Sequence, residues 1–167
     1  MLQGFLHPIV GLDHALAMIA VGILAAVIGG RAVWLVPVAF LVAMALGAGW
    51  GLRRFDLPQF EKMIALSVTV LGILVAIGYR LPEFAGAAVA ALVAFPHGYA
   101  HGTEAPLGAP VGGYVAGFLL AAAVLMAVGF GIEQALARLG GQVAPRARQA
   151  LGAVIVLAGV GILAGWV

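Results

Sequence analysis

Residues Val111 to Leu136 read VGGYVAGFLLAAAVLMAVGFGIEQAL, and Glu133 is the single charge among them. A helix that crosses the hydrocarbon core of a bilayer needs about 20 mostly apolar residues. A membrane barrel strand needs only about 10, alternating in polarity. The run is too long and too evenly apolar for a strand, so it reads as a membrane-spanning helix. Moving outward, the same criterion predicts helices at about 5–28, 32–52, 60–79, 83–102, 111–136 and 149–167. Polar or Gly- and Pro-bearing breaks separate them: Gly29-Gly30-Arg31, Arg53 to Gln59, Arg80-Leu81-Pro82-Glu83, Glu104 to Pro110, and Arg138 to Arg148. The expected fold is all-α: six transmembrane helices in one compact bundle, with residues 1–167 forming a single transmembrane domain.

Composition agrees. Of 167 residues, 65% are hydrophobic and 8% are charged, against about 25% charged in a soluble domain. Mean hydropathy is +1.19. So few charges cannot solvate a globular surface. The eight basic and six acidic residues are scattered, which gives no stripe for nucleic acid. Lys62 is the only lysine and lacks the Gly-rich approach of a phosphate loop, so no nucleotide is expected. No cysteine is present, which removes disulfides, thiolate metal sites and iron–sulfur clusters. Arg31, Arg80, Arg138, Arg146 and Arg148 fall on one side of the expected bundle, and Arg53, Arg54 and Lys62 on the other. The positive-inside rule then places both termini outside.

Ionisable residues within apolar segments carry the functional signal, because they are costly at membrane depth. All four histidines lie in two clusters. The first is His7-Pro8-Ile9-Val10-Gly11-Leu12-Asp13-His14. On an unbroken helix His7 and His14 share a face about 10 Å apart, and Asp13 points about 120° away. Pro8 and Gly11 are positions where that helix can break. The second is His97, His101 and Glu104, at i, i+4 and i+7 on one face. In an up-down bundle the start of helix one, the start of helix three with Glu61 and the end of helix four share one side. His7, Asp13, His14, Glu61, His101 and Glu104 are therefore expected at one mouth. Asp56, Glu83 and Glu133 read as solvated or interfacial charges, the methionines as packing, and Trp34, Trp50, Tyr79 and Trp166 as interface anchors.

Imidazole and carboxylate without thiolate suit borderline divalent ions such as nickel, cobalt or zinc. A membrane metal sensor or haem-binding protein without transport is the rival reading. A nucleophile, base and orienting group do not occur together, so no enzyme activity is expected.

At these residues the chain resembles the HupE/UreJ family of nickel/cobalt permeases, accessory to hydrogenases and ureases. The resemblance rests on His7-Pro8-x-x-Gly11-x-Asp13-His14-x-Leu16-Ala17-Met18-x-x-Val21-Gly22 and on Phe95-x-His97-x-x-x-His101-Gly102-x-Glu104. Pro37-x-x-Phe40-x-x-x-Met44-x-x-Gly47, and Glu61 followed by Ser67-Val68-x-Val70-Leu71-Gly72, extend it over most of the chain. It implies a multi-pass permease of the bacterial cytoplasmic (inner) membrane carrying Ni2+, with Co2+ or Zn2+ as alternatives. The implied metal ligands are His7, His14, His101 and Glu104, with Asp13 and Glu61 as ligands or supporting charge and His97 as ligand or orienter. Phe40 would pack or gate. Family members often carry a signal peptide and a short segment before the first motif, whereas six residues precede His7 here. The implied partners are a divalent metal ion and the lipid bilayer, with a homo-oligomer left open.

Overall fold

A computed structural model describes residues 1–106, 108 and 110–166. Every regular element among them is an α-helix: α1 (Leu2–Val10), α2 (Leu12–Ile28), α3 (Ala32–Leu52), α4 (Phe60–Ile77), α5 (Glu83–Thr103), α6 (Val111–Leu139) and α7 (Val143–Leu163). The all-α expectation holds, and the expected first helix needs correction. It is two helices, α1 and α2, meeting at an angle of 86°. Gly11 sits at the break with extended backbone (φ −72°, ψ 108°), serving as C-cap of α1 and N-cap of α2. Pro8 lies inside α1, so one backbone donor is missing just before the bend.

By length and apolarity α3, α4, α6 and α7 can each cross a membrane, and the bent α1–α2 pair can count as a fifth span. The expected sixth is α5. It has 21 residues, but His97, His101, Pro96, Tyr99 and its glycines lower its apolarity. The last helix also starts earlier than expected, because Pro145 falls in its first turn, where a missing N–H costs nothing. It ends at Leu163. The expected end, Val167, lies outside the described residues.

Helix α2 is the axis of the bundle and packs against all six other helices. Its apolar residues run all round rather than along one stripe, as befits a helix enclosed by others. Ala17, Met18, Ala20, Val21, Ile23 and Leu24 are fully buried. The most extensive helix pairings are α3 with α5, α4 with α7 and α2 with α6.

Small residues allow these close approaches. A Cβ on Gly98 of α5 would overlap the carbonyl oxygen of Met44 on α3, and one on Gly47 would overlap that of Phe95. A Cβ on Gly49 would meet nothing within 4 Å. Gly98→Ala is therefore expected to cost about 1–3 kcal/mol by overpacking, while Gly49→Ala is neutral or stabilising. Thermal unfolding in detergent checks this. Equal melting temperatures for the two variants would contradict the assigned α3–α5 contact.

Candidate metal centre

The bend at Gly11 has a direct chemical consequence. A Cβ there would lie 3.1 Å from Asp13 Oδ1 and 3.4 Å from His14 Nδ1. The glycine thus leaves room for the first turn of α2 to fold Asp13 and His14 against each other. Asp13 Oδ1 accepts both the His14 backbone N–H and the His14 ring Nδ1–H, each at 2.8 Å. The bend also turns α1 across the mouth. The His7 and His14 rings come to 6.3 Å between centroids, where an unbroken helix would separate them by about 10 Å.

Helix α5 supplies the other two imidazoles. His97 and His101, one turn apart, both face His14, at 4.7 Å and 4.6 Å between centroids. His7 approaches His101 at 4.9 Å. His97 and His101 are fully buried, and His14 is 7% exposed. The His101 ring lies flat on Phe118 of α6, at 4.7 Å and 10° between planes. Glu104 continues the hydrogen-bonding pattern of the helix, its N–H donating to the Ala100 carbonyl at 3.0 Å. The helix ends at Thr103, and Glu104 forms its C-cap. From there Glu104 Oε2 accepts a 2.7 Å hydrogen bond from His7 Nε2.

The hydrogen bonds decide which ring nitrogens stay bare. Ser67 Oγ has one proton, donated to the Ile64 carbonyl at 2.7 Å. It must therefore accept from His97 Nε2–H at 2.9 Å. The lone pair of His97 is left on Nδ1, which is buried and has no partner. Asp13 takes the Nδ1–H of His14 and leaves its Nε2 bare, also buried and without a partner. Both ring nitrogens of His101 are unpartnered, as is the buried Tyr114 hydroxyl. A buried polar atom without a partner costs about 1–3 kcal/mol, and this cluster holds several.

Two cavities reach the cluster. One of about 650 Å3 is lined by Gln3, His7, Asp13, His14, Glu104 and Tyr114, among others. Another, of about 490 Å3, approaches from Glu61 and Lys62 to Asp13, His14 and Glu104. Glu61 thus lines an approach and makes no hydrogen bond to the imidazoles. Among the described residues no three His, Asp or Glu side chains are already arranged to hold a metal ion. The rings touch edge to face and occupy the space between them. Phe40 is fully buried in the core. Ser67 and Tyr114 also belong to the site, and the sequence around them marks neither: Ser67 is thirty residues from His97, and Tyr114 belongs to an apolar run without any polar neighbour in sequence.

The family model described as HupE / UreJ protein matches residues 1–162. The chain is similar to Protein HupE of Rhizobium leguminosarum bv. viciae, with 43% identity over 164 residues, covering 98% of this chain and 84% of that protein. No solved structure matches.

The Ser67 contact makes a prediction about the protein without metal. In Ser67→Ala, His97 Nε2–H loses its acceptor, and the fixed tautomer gives way to a mixture. Ser67→Thr, which keeps the hydroxyl, restores it. Nitrogen-15 spectra of histidine-labelled protein read this directly, and an unchanged His97 tautomer in Ser67→Ala would refute the assignment.

Proposed function

We propose that this chain, which belongs to the HupE/UreJ family, moves a divalent transition-metal ion, Ni2+ foremost, across the bacterial cytoplasmic membrane. Proteins of this family are transporters or accessory proteins, not enzymes, and the chain is a multi-pass membrane protein. The supporting observation is the set of buried, unpartnered ring nitrogens on His14, His97 and His101. An arrangement that leaves several lone pairs desolvated fits a site whose ligand comes and goes.

The donor set suits the cargo. Imidazole nitrogen and carboxylate oxygen without thiolate favour Ni2+, Co2+ or Zn2+. His14 Nε2, His97 Nδ1 and one nitrogen of His101 would ligate the ion. His7 and Glu104 would close over it from the outer side. Asp13 and Glu104 together balance two positive charges, and Glu61 raises the cation concentration along its approach. The edge-to-face rings must turn apart to admit an ion with ligands at about 2 Å. A porphyrin plane, by contrast, has no room between imidazoles whose centroids are 4.6–4.9 Å apart, which disfavours the haem reading.

The arginine-rich side of the bundle is opposite this mouth, so the positive-inside rule turns the histidines outward. Two charges moving down a potential of 100 mV gain about 4.6 kcal/mol. The membrane potential is thus a sufficient driving force for uptake.

Uptake of 63Ni2+ into proteoliposomes under an imposed potential tests the reading. His14→Ala and His101→Ala are each expected to lower uptake about tenfold or more by removing a ligand. Glu61→Gln is expected to raise the half-saturating Ni2+ concentration while sparing the maximal rate. Undiminished uptake in both histidine variants would refute the site. Tight binding without uptake in the unaltered protein would favour a sensor.

A further inference from the structure

Five polar or charged side chains are buried among the described residues: His14, Ser67, His97, His101 and Glu133. The first four belong to the imidazole cluster. Glu133 does not, and its burial corrects its reading as a solvated charge. It lies nineteen residues beyond Tyr114 on α6, about 28 Å along the axis, which is close to the hydrocarbon thickness of a bilayer. Glu133 therefore marks the far mouth.

Arg148 of α7 holds it through the Nε–Nη2 edge of its guanidinium. Nε is 2.9 Å from Oε2 and 3.1 Å from Oε1, and Nη2 is 2.6 Å from Oε1. The pair lines a cavity of about 200 Å3 that also touches Ala26 and Val27 of α2, Arg80 and Gln134. Gly78 completes the wall, and a Cβ there would press on the Arg148 guanidinium. Between His14 and Ala26, about 18 Å of α2, no polar side chain occurs. Met18, Val21, Leu24 and Ala25 in that stretch are at most 1% exposed.

An ion pair whose carboxylate is buried, its guanidinium side chain 19% exposed, is a poor device for merely tying α6 to α7. Desolvation offsets most of its Coulomb energy, and an apolar pair of similar volume would serve as well. Buried charges in membrane proteins instead mark ion paths. A dication leaving the neutral imidazoles finds its next buried anionic oxygen at Glu133. At equal distance it gains twice the Coulomb energy of the guanidinium, so it can take the carboxylate from Arg148. Arg148, tethered on α7 and assisted by Arg80, can then return and expel it.

We propose that Glu133 is a second, transient divalent-cation site at the far mouth, and that Arg148 is its tethered counter-ion, sealing the path and displacing the cation on exit. This rests on the transport reading above.

The double variant Glu133→Gln with Arg148→Met removes both charges and leaves none buried unpaired. It is expected to bind Ni2+ at the imidazole cluster with unchanged Kd by calorimetry, while 63Ni2+ uptake falls about tenfold or more, as expected when a charged group on an ion path is lost. A second measurement leaves the pair intact. The chain has no cysteine, so Val27→Cys alone reports on the far mouth. Labelling of Val27→Cys by a membrane-impermeant thiol reagent should accelerate when Ni2+ is added. Wild-type uptake by the double variant, or labelling indifferent to Ni2+, would overturn the proposal and leave a structural tie. An unaltered chain that neither binds nor transports Ni2+ would overturn the transport reading, and this site with it.

Discussion

Lone pairs held out of water are the constraint around which this bundle is organised. An imidazole in an apolar interior normally satisfies both ring nitrogens, because each bare one costs free energy. Here His14 and His97 each commit one nitrogen to a neighbour and keep the other bare, and His101 commits neither. The neighbours define the chemistry. Asp13 holds His14 by Nδ1 and leaves Nε2 bare. Ser67, its own proton spent on the Ile64 carbonyl, holds His97 by Nε2 and leaves Nδ1 free. Two different supports thus leave two different ring nitrogens bare on rings whose centroids are 4.7 Å apart.

The fold supplies the rest. Rings from α1 and α2 must each come within 5 Å of a ring on α5, which requires backbones that approach closely and one that turns sharply. The α3–α5 contact, made through Gly47 and Gly98, fixes the helix carrying His97 and His101. The break at Gly11 turns α1 over the mouth, so that His7 reaches both Glu104 and His101. At the opposite end of the central helix an ion pair replaces the imidazoles. In the proposed cycle the molecule carries its donors on one side and a self-neutralised carboxylate on the other, with apolar packing between.

Much of this was legible from residues alone, for identifiable reasons. The apolar runs specify helices because lipid leaves the backbone no other partner. The spacing of His97 and His101 puts two rings on one face of any helix. The 86° bend was not legible in size: Pro8 and Gly11 permit a break, but packing against α6 sets its angle. The partner of Glu104 was not legible: the spacing places Glu104 after His101, but only the bend at Gly11 brings His7 to it. Ser67 was hidden because its role depends on a residue thirty positions away and on a single proton. Glu133 reads as solvated because it lies near the end of a long helix. Only the placement of α7 shows that Arg148 covers it. The count of spans depended on α5, which gives up apolarity to carry the histidines.

The central claim is that imidazoles from different helices meet on one metal ion. X-ray absorption at the nickel edge on the loaded protein tests it most directly, because imidazole rings give a distinctive multiple-scattering pattern. The account predicts at least three imidazole nitrogens on the ion, with one fewer in His97→Ala. A shell of oxygen ligands without imidazole scattering would contradict it.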